Sequence, residues 1–304
     1  MIDKPWFDGF EACDFNLDGA RVHARIGGTE GAPPLLLLHG FPQTHAMWHR
    51  VAQILAPRFH LVLPDLRGYG DSYRPPGLPD HANYSKRVMA QDLASLMRAL
   101  GHARYGVCGH DRGGRVAHRL ALDHADAVAK LAVIDIAPTL DMYEATDVRF
   151  ASLYYHWFFL IQPAPHPERM IGADSTAYLH WKLGRWGAGS ANNYREPQAL
   201  AEFERCFADP ASIHGACEDY RASFGIDLQH DRESRAAGHK VACDLLVLWG
   251  QRGVVNQLFD PPALWRAQCA GRVTGEVMGA GHYIPEELPH QTAAHLGEFF
   301  ATGP

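Results

Sequence analysis

The sequence predicts an α/β fold, a mostly parallel, doubly wound sheet interrupted by an inserted helical segment. Three observations predict it. Short, continuous apolar runs, the mark of strands covered on both faces, alternate with segments of helical period. One run, Tyr105-Gly106-Val107-Cys108, leads into Gly109-His110-Asp111-Arg112-Gly113, the small-x-nucleophile-x-small pattern of a sharp strand-to-helix turn. The alternation then stops after Asp135-Ile136-Ala137-Pro138 and resumes near Val241. At 304 residues the chain is long for one simple domain and short for two. A core built from residues 1–138 and 241–304, with a helical cap over 139–240, accounts for both facts.

In chain order, the buried strands are expected at Leu35 to Leu38, Leu61 to Leu63, Tyr105 to Cys108, Leu131 to Ile134 and Leu245 to Trp249, with a last strand at Val273 to Val277. The clearest helix runs from Tyr84 to Leu100, where Val88, Met89, Leu93, Leu96, Met97 and Leu100 share a face before Gly101 ends it. A second helix covers Arg115 to Asp123, with Val116, Ala117, Leu120 and Ala121 at helical spacing. The insertion is aromatic-rich, as in Tyr154-Tyr155-His156-Trp157-Phe158-Phe159, and a last helix is expected near Gln291 to Phe300.

Composition excludes several classes. A hydrophobic fraction of 47% with 20% charged residues is that of an ordinary globular protein. No run approaches the roughly 18 apolar residues of a membrane span, and the N-terminus has no basic segment followed by an apolar one, so a cytoplasmic protein is expected. A net charge of −6 with no basic block argues against nucleic acid, and requires local cations wherever an anion is to be held. The six cysteines form no Cys-x-x-Cys pair and read as free thiols. His45 and His49 have a metal-like i, i+4 spacing, yet Ala46-Met47-Trp48 between them lacks the glutamate of a zinc protease motif. Surface helix histidines are the better account, and no metal or cofactor is expected.

Asp111 at the elbow narrows the chemistry. A carboxylate needs no base to activate it and can attack a saturated carbon in line, forming an aspartyl ester, so an alkyl halide or an epoxide is the expected substrate. Hydrolysis of that ester needs a late histidine and an acid to orient it. His282, in the glycine-rich Gly279-Ala280-Gly281-His282, fits. The segment after Leu245 to Trp249, where the acid usually lies, has no carboxylate in Gly250-Gln251-Arg252-Gly253-Val254-Val255. Asp135 ends the strand after the elbow at the same sheet edge and takes the role. Asp260, ahead of Pro261-Pro262, is the fallback and reads better as a helix cap. His39-Gly40-Phe41-Pro42 follows the first buried strand, so the backbone amides of Phe41 and Arg112 are expected to face a developing oxyanion.

Across nearly its whole length the chain resembles the fluoroacetate dehalogenases, haloacetate-hydrolysing members of the α/β-hydrolase superfamily. The resemblance rests on His39-Gly40-Phe41-Pro42-Gln43-Thr44, Gly109 to Arg115, Asp135-Ile136, Tyr155-His156-Trp157, Cys217-Glu218-Asp219-Tyr220-Arg221 and Gly281 to Glu287. It implies Asp111 as nucleophile, His282 as base and Asp135 as its partner. It also implies Arg112 and Arg115 as holders of the substrate carboxylate, His156, Trp157 and Tyr220 as halide ligands, and Trp186 as a pocket residue. A small halogenated acid would be the substrate, and related enzymes are commonly homodimers. Gly114 and Tyr283 depart from the alanine and phenylalanine expected at those places.

The residues support parts of this independently. Arg112 and Arg115 share a face at a helix start, where positive side chains oppose the helix dipole, and guanidinium groups suit carboxylates. Fluoride is strongly hydrated, and imidazole, indole and phenol offer it three donors, although by the residues alone Tyr154 to Phe159 reads as a buried aromatic helix face and only the resemblance makes it a halide site. An epoxide hydrolase would share the aspartate but use lid tyrosines on the ring oxygen, with no need for paired arginines. A haloalkane dehalogenase would carry a halide-binding tryptophan where Arg112 stands. A non-catalytic receptor of the same fold would tolerate loss of a triad member, and all three are present.

Overall fold

The computed structural model describes residues 6–186 and 196–301, with the side chain of Trp186 outside that description. Eight strands form one sheet: β1 (Phe10–Leu17), β2 (Ala20–Gly28), β3 (Pro34–Leu38), β4 (His60–Pro64), β5 (Tyr105–His110), β6 (Val128–Ile134), β7 (Asp244–Gly250) and β8 (Val273–Met278). Their order is β1-β2-β4-β3-β5-β6-β7-β8. β2 runs antiparallel to both β1 and β4, and every other pairing is parallel. All six expected strands are present. The inner five read as continuous runs because they are covered, as with the leucines of β3 and Leu61 to Leu63 of β4, which have no exposed surface, whereas the edge strand β8 is largely exposed.

The N-terminal hairpin was not among the expected strands. β1 is half exposed and its apolar residues, Phe10, Ala12, Cys13, Phe15 and Leu17, are interleaved with Glu11, Asp14 and Asn16, so it lacks the continuous apolar run by which the inner strands were read. Its turn, Asp18-Gly19 with Gly19 at φ +83°, was legible in principle as a two-residue hairpin. The long helix is Lys86–Ala99, capped by the Ser85 hydroxyl on the Val88 N–H at 3.3 Å and followed by Gly101 at φ +81°. Tyr84 belongs to a short 3₁₀ turn before it. Asp260 caps the helix Pro261–Gln268 through the Ala263 N–H.

Between β6 and β7 the described residues form helices only, from Thr139–Glu144 to Ile226–Ala236. One of these, Pro210–Phe224, reaches the elbow helix Arg112–Asp123 through buried side chains. No helix of the described residues is long and apolar enough to cross a membrane. The six cysteines are free.

His45 and His49 require a correction, since both are buried rather than on the surface. The 3₁₀ turn His45–Trp48 and the helix after it turn them inward. His45 Nδ1 meets Asp65 Oδ1 at 2.8 Å, and His49 Nδ1 donates to the Ala46 carbonyl at 2.9 Å.

Candidate active site

β5 ends at His110 and the helix begins at Arg112, so Asp111 alone makes the turn, at φ +48° and ψ −115°. A side chain is held there only by dense surroundings. The glycines supply the room. A Cβ on Gly109 would lie 2.3 Å from the Gly113 carbonyl oxygen, and one on Gly40 would lie 2.5 Å from Asp111 Cβ. The backbone thus closes around the elbow and lifts the carboxylate between two loops. Oδ1 accepts the Phe41 N–H at 3.0 Å, and Oδ2 lies 3.8 Å from His282 Nε2. The Arg112 amide is the first of its helix, where no preceding turn supplies an acceptor.

His282 Nδ1 donates to Asp135 Oδ2 at 2.6 Å, which turns Nε2 toward Asp111. Asp135 follows β6 at φ +52°, with its N–H on the Leu248 carbonyl and its Oδ1 accepting the Gly250 N–H at 2.9 Å. The carboxylate is therefore fixed against the loop after β7, the segment that carries no acid of its own. A Cβ on Gly253 in that loop would come within 3.1 Å of Asp135 Oδ1. Burial works against a charged His282, but the hydrogen bond to Asp135 and the charges of Asp135, Asp111 and Glu287 lift its pKa above the ordinary imidazole value. Burial likewise opposes the Asp111 charge, and His282, His110, Arg115 and Arg112 overcome it, so the carboxyl titrates below its usual range.

The arginines differ from the expected pair of open forks. Arg112 spends its fork on Asp219, which takes Nε and Nη2 at 2.8 Å each, while Nη2 also meets Ser223 Oγ at 2.5 Å. Asp219 in turn accepts the Tyr69 hydroxyl at 2.6 Å and pairs with Lys86. Arg115 donates to Thr139 Oγ1 at 2.8 Å and faces the Ala137 carbonyl and Met142 Sδ, all neutral. One nitrogen of each remains buried without a partner, Arg112 Nη1 and Arg115 Nε.

The aromatic trio lies against these cations. Arg112 sits 4.1 Å from the Tyr220 ring centre and Arg115 4.7 Å from that of Trp157. His156 stacks parallel to Phe41 and meets Tyr220 edge-on. His156, Trp157 and Tyr220 are wholly buried, and Trp157 Nε1 and Tyr220 Oη are further donors without a hydrogen-bond partner. Burial raises the Tyr220 phenol well above its usual pKa, so it keeps its proton. Burial and the charge of Lys182 push His156 far below the ordinary imidazole value. The Trp186 side chain lies outside the described residues. A cavity of about 640 Å³ is lined by Tyr154, Tyr155, Lys182 and His282 among others, and Asp111 is not among its lining residues.

Asp219 and Lys86 were missed as parts of the site. Their contacts span more than a hundred residues of sequence, and although Asp219 lies within the Cys217 to Arg221 motif, nothing in that motif points to Arg112 or Lys86.

A family model described as the alpha/beta hydrolase fold matches residues 33–288. The chain is 45% identical to a fluoroacetate dehalogenase of Burkholderia sp over 295 residues, 97% of this chain and 95% of that protein. It is 31% identical to a soluble epoxide hydrolase of Corynebacterium sp. (strain C12), over 94% of this chain and 95% of that protein. Among solved structures, ALR0039 of Nostoc sp PCC 7120, described as a candidate alpha/beta hydrolase, superposes with a TM-score of 0.93 at 50% identity, covering 97% of this chain and 99% of that one.

Proposed function

We propose, from the premise that the chain belongs to the α/β-hydrolase family, that it hydrolyses haloacetates to glycolate and halide. The observation that carries this reading is the ring of buried donors without partners, Arg112 Nη1, Arg115 Nε, Trp157 Nε1 and Tyr220 Oη, on side chains grouped around an aspartate nucleophile. Buried donors in native proteins are nearly always satisfied, and an anionic substrate with an anionic leaving group would satisfy these. The likeness to a fluoroacetate dehalogenase supports the same substrate class.

In this reading the two oxygens of Asp111 divide the work. Oδ2 attacks the halogen-bearing carbon, the carbon–halogen bond breaks, and the halide departs toward His156, Trp157 and Tyr220. Oδ1, held by the Phe41 N–H, becomes the carbonyl oxygen of the aspartyl ester. His282 Nε2 then takes a proton from water, whose oxygen adds to the Asp111 carboxyl carbon. Negative charge builds on Oδ1, where an amide donor contributes about 3 kcal/mol. Collapse expels glycolate, which takes the proton from His282, and the Asp111 carboxyl, still holding the second proton of the water, gives it up through His282 to solvent and returns to the carboxylate. The helices between β6 and β7 serve as the cap that keeps water away from the departing halide.

A second reading, epoxide hydrolysis, is favoured by the 31% identical relative and by the unpartnered Tyr220 hydroxyl, which could donate to a ring oxygen. Halide release from fluoroacetate, chloroacetate and a neutral chloroalkane, run beside diol formation from an epoxide, separates the two. Turnover of haloacetates alone is the expected result. Preference for the neutral substrates would transfer the function to the second reading.

A further inference from the structure

His282 sits in a loop, and a loop holds a side chain to a productive position only when its backbone is fixed. One carboxylate fixes both flanks. Glu287 Oε2 accepts the Gly281 N–H at 2.9 Å, and Oε1 accepts the Tyr283 N–H at 3.1 Å. The single turn Ile284–Glu287 makes this possible, because the amides of Glu286 and Glu287 both bond back to the Tyr283 carbonyl and fold the side chain over the loop. The carbonyl of His282 itself accepts Nε2–H of His110 at 2.9 Å, and His110 immediately precedes Asp111. Residues 281–283 are therefore gripped from the helical turn on one side and from the elbow on the other.

We propose that Glu287 is a positioning residue, which through the amides of Gly281 and Tyr283 aims His282 at the water that attacks the Asp111 ester. The kinetic half of this proposal rests on the reaction proposed above. Glu287 touches no reacting atom and acts through the loop. Its charge also reaches the imidazole, which faces Asp135, Asp111 and His110 from the core and His156 from the cap. Burial and the neighbouring His282 push His110 down to about 3, so at neutral pH His110 is an uncharged ring whose proton sits on the donating nitrogen.

Glu287→Gln and Glu287→Asp in the full chain test this. Glutamine has one acceptor oxygen, so one of the two amides loses its partner and the charge is gone, whereas aspartate keeps the charge on a shorter arm. In the glutamine variant, amide hydrogen exchange at Gly281 or Tyr283 is expected to rise tenfold or more. Steady-state kcat on fluoroacetate should fall tenfold or more while first-turnover halide release stays within twofold, with the ester accumulating on Asp111. The acid limb of kcat should move to lower pH with the charge removed, and the aspartate variant should restore the limb. Unchanged exchange at both amides would overturn the clamp. Equal losses in the halide burst and in kcat would overturn the positioning role, since the damage would then extend to the elbow. If the unaltered enzyme released no halide from any haloacetate, the function proposed above would fail, and exchange at the two amides would still decide the clamp. Should the glutamine variant not fold, the aspartate variant, whose shorter arm cannot hold both amides, carries the exchange and burst-against-kcat comparisons, with the acid limb expected unmoved.

Discussion

Asp219 holds Arg112 along two edges, Oδ2 to Nε and Oδ1 to Nη2, both at 2.8 Å and both fully out of water. Burial opposes the Asp219 charge, yet Arg112 and Lys86 keep its carboxyl far below the usual range. The positive charge of Arg112 is thus answered within the protein. Arg115 has only neutral acceptors, the Ala137 carbonyl, Thr139 and Met142, and burial with the nearby Arg112 lowers its pKa. Of the two arginines, Arg115 is the one with no carboxylate hydrogen-bonded to it among the described residues, and the anion whose charge it feels is Asp111.

The two arginines should therefore fail differently. Arg115→Gln is expected to lower kcat/KM for haloacetates by tenfold or more, the loss of a charge-assisted contact of about 1.5–3 kcal/mol, with much less effect on any haloacetamide turnover. Arg112→Gln should in addition destabilise the fold by about 3 kcal/mol in chemical denaturation, because it breaks a buried ion pair. Equal losses for Arg115→Gln on charged and neutral substrates would make that arginine structural.

The halide trio should discriminate among leaving groups. Trp157→Phe and Tyr220→Phe each keep a ring and delete one donor. Fluoroacetate turnover should lose about 1–3 kcal/mol of barrier stabilisation and bromoacetate much less, since bromide is weakly hydrated and leaves readily. A uniform loss across fluoro-, chloro- and bromoacetate would assign these residues to pocket shape instead.

The pH profile follows from what raises His282. Its pKa is lifted above 6.5 against burial by Asp135, Asp111 and Glu287, and ester hydrolysis needs the neutral ring, so kcat should rise with pH along an acid limb. Forming the ester removes the Asp111 charge. The kcat limb should therefore lie at lower pH than the His282 titration of the free enzyme seen by NMR. Asp135→Asn should depress both.

Glu286 offers a stability test. Burial raises its carboxyl to about 8, while Gln43 Nε2 donates to its Oε2 and Gln43 Oε1 has no partner. A raised carboxyl pKa favours the native state below the unfolded value near 4.5, and that advantage is lost as pH rises toward 8. Glu286→Gln supplies a neutral amide that can reach Gln43 Oε1. It should raise Tm at pH 8 and change it little at pH 5.

Much of this architecture was legible locally. The central strands announce themselves because burial on both faces leaves no polar alternation, and the elbow because only glycines tolerate its close approaches. Asp135 could be placed because it ends a strand at the sheet edge where the acid is needed. What escaped is decided by how side chains pack. The Asp219 grip on Arg112 and the turn of His45 toward Asp65 join residues far apart in sequence, whereas the His49 contact with Ala46 and the Glu287 hold on the base loop are local and depend on a 3₁₀ turn and a single helical turn that no residue pattern announces. The N-terminal hairpin was missed for another reason. Its half-exposed β1 mixes apolar with polar residues instead of running continuously apolar, and the Asp18-Gly19 turn was its one strong local mark.

The ester on Asp111 is the central claim, and mass spectrometry of a His282→Ala enzyme treated with chloroacetate tests it most directly. Removing the base leaves Oδ2 free to attack and takes away the group that activates water. The account predicts one equivalent of halide released and the peptide containing Asp111 heavier by one glycolyl group, with Asp111→Asn giving neither. An inactive His282→Ala enzyme whose Asp111 peptide stays unmodified after halide is released would contradict it.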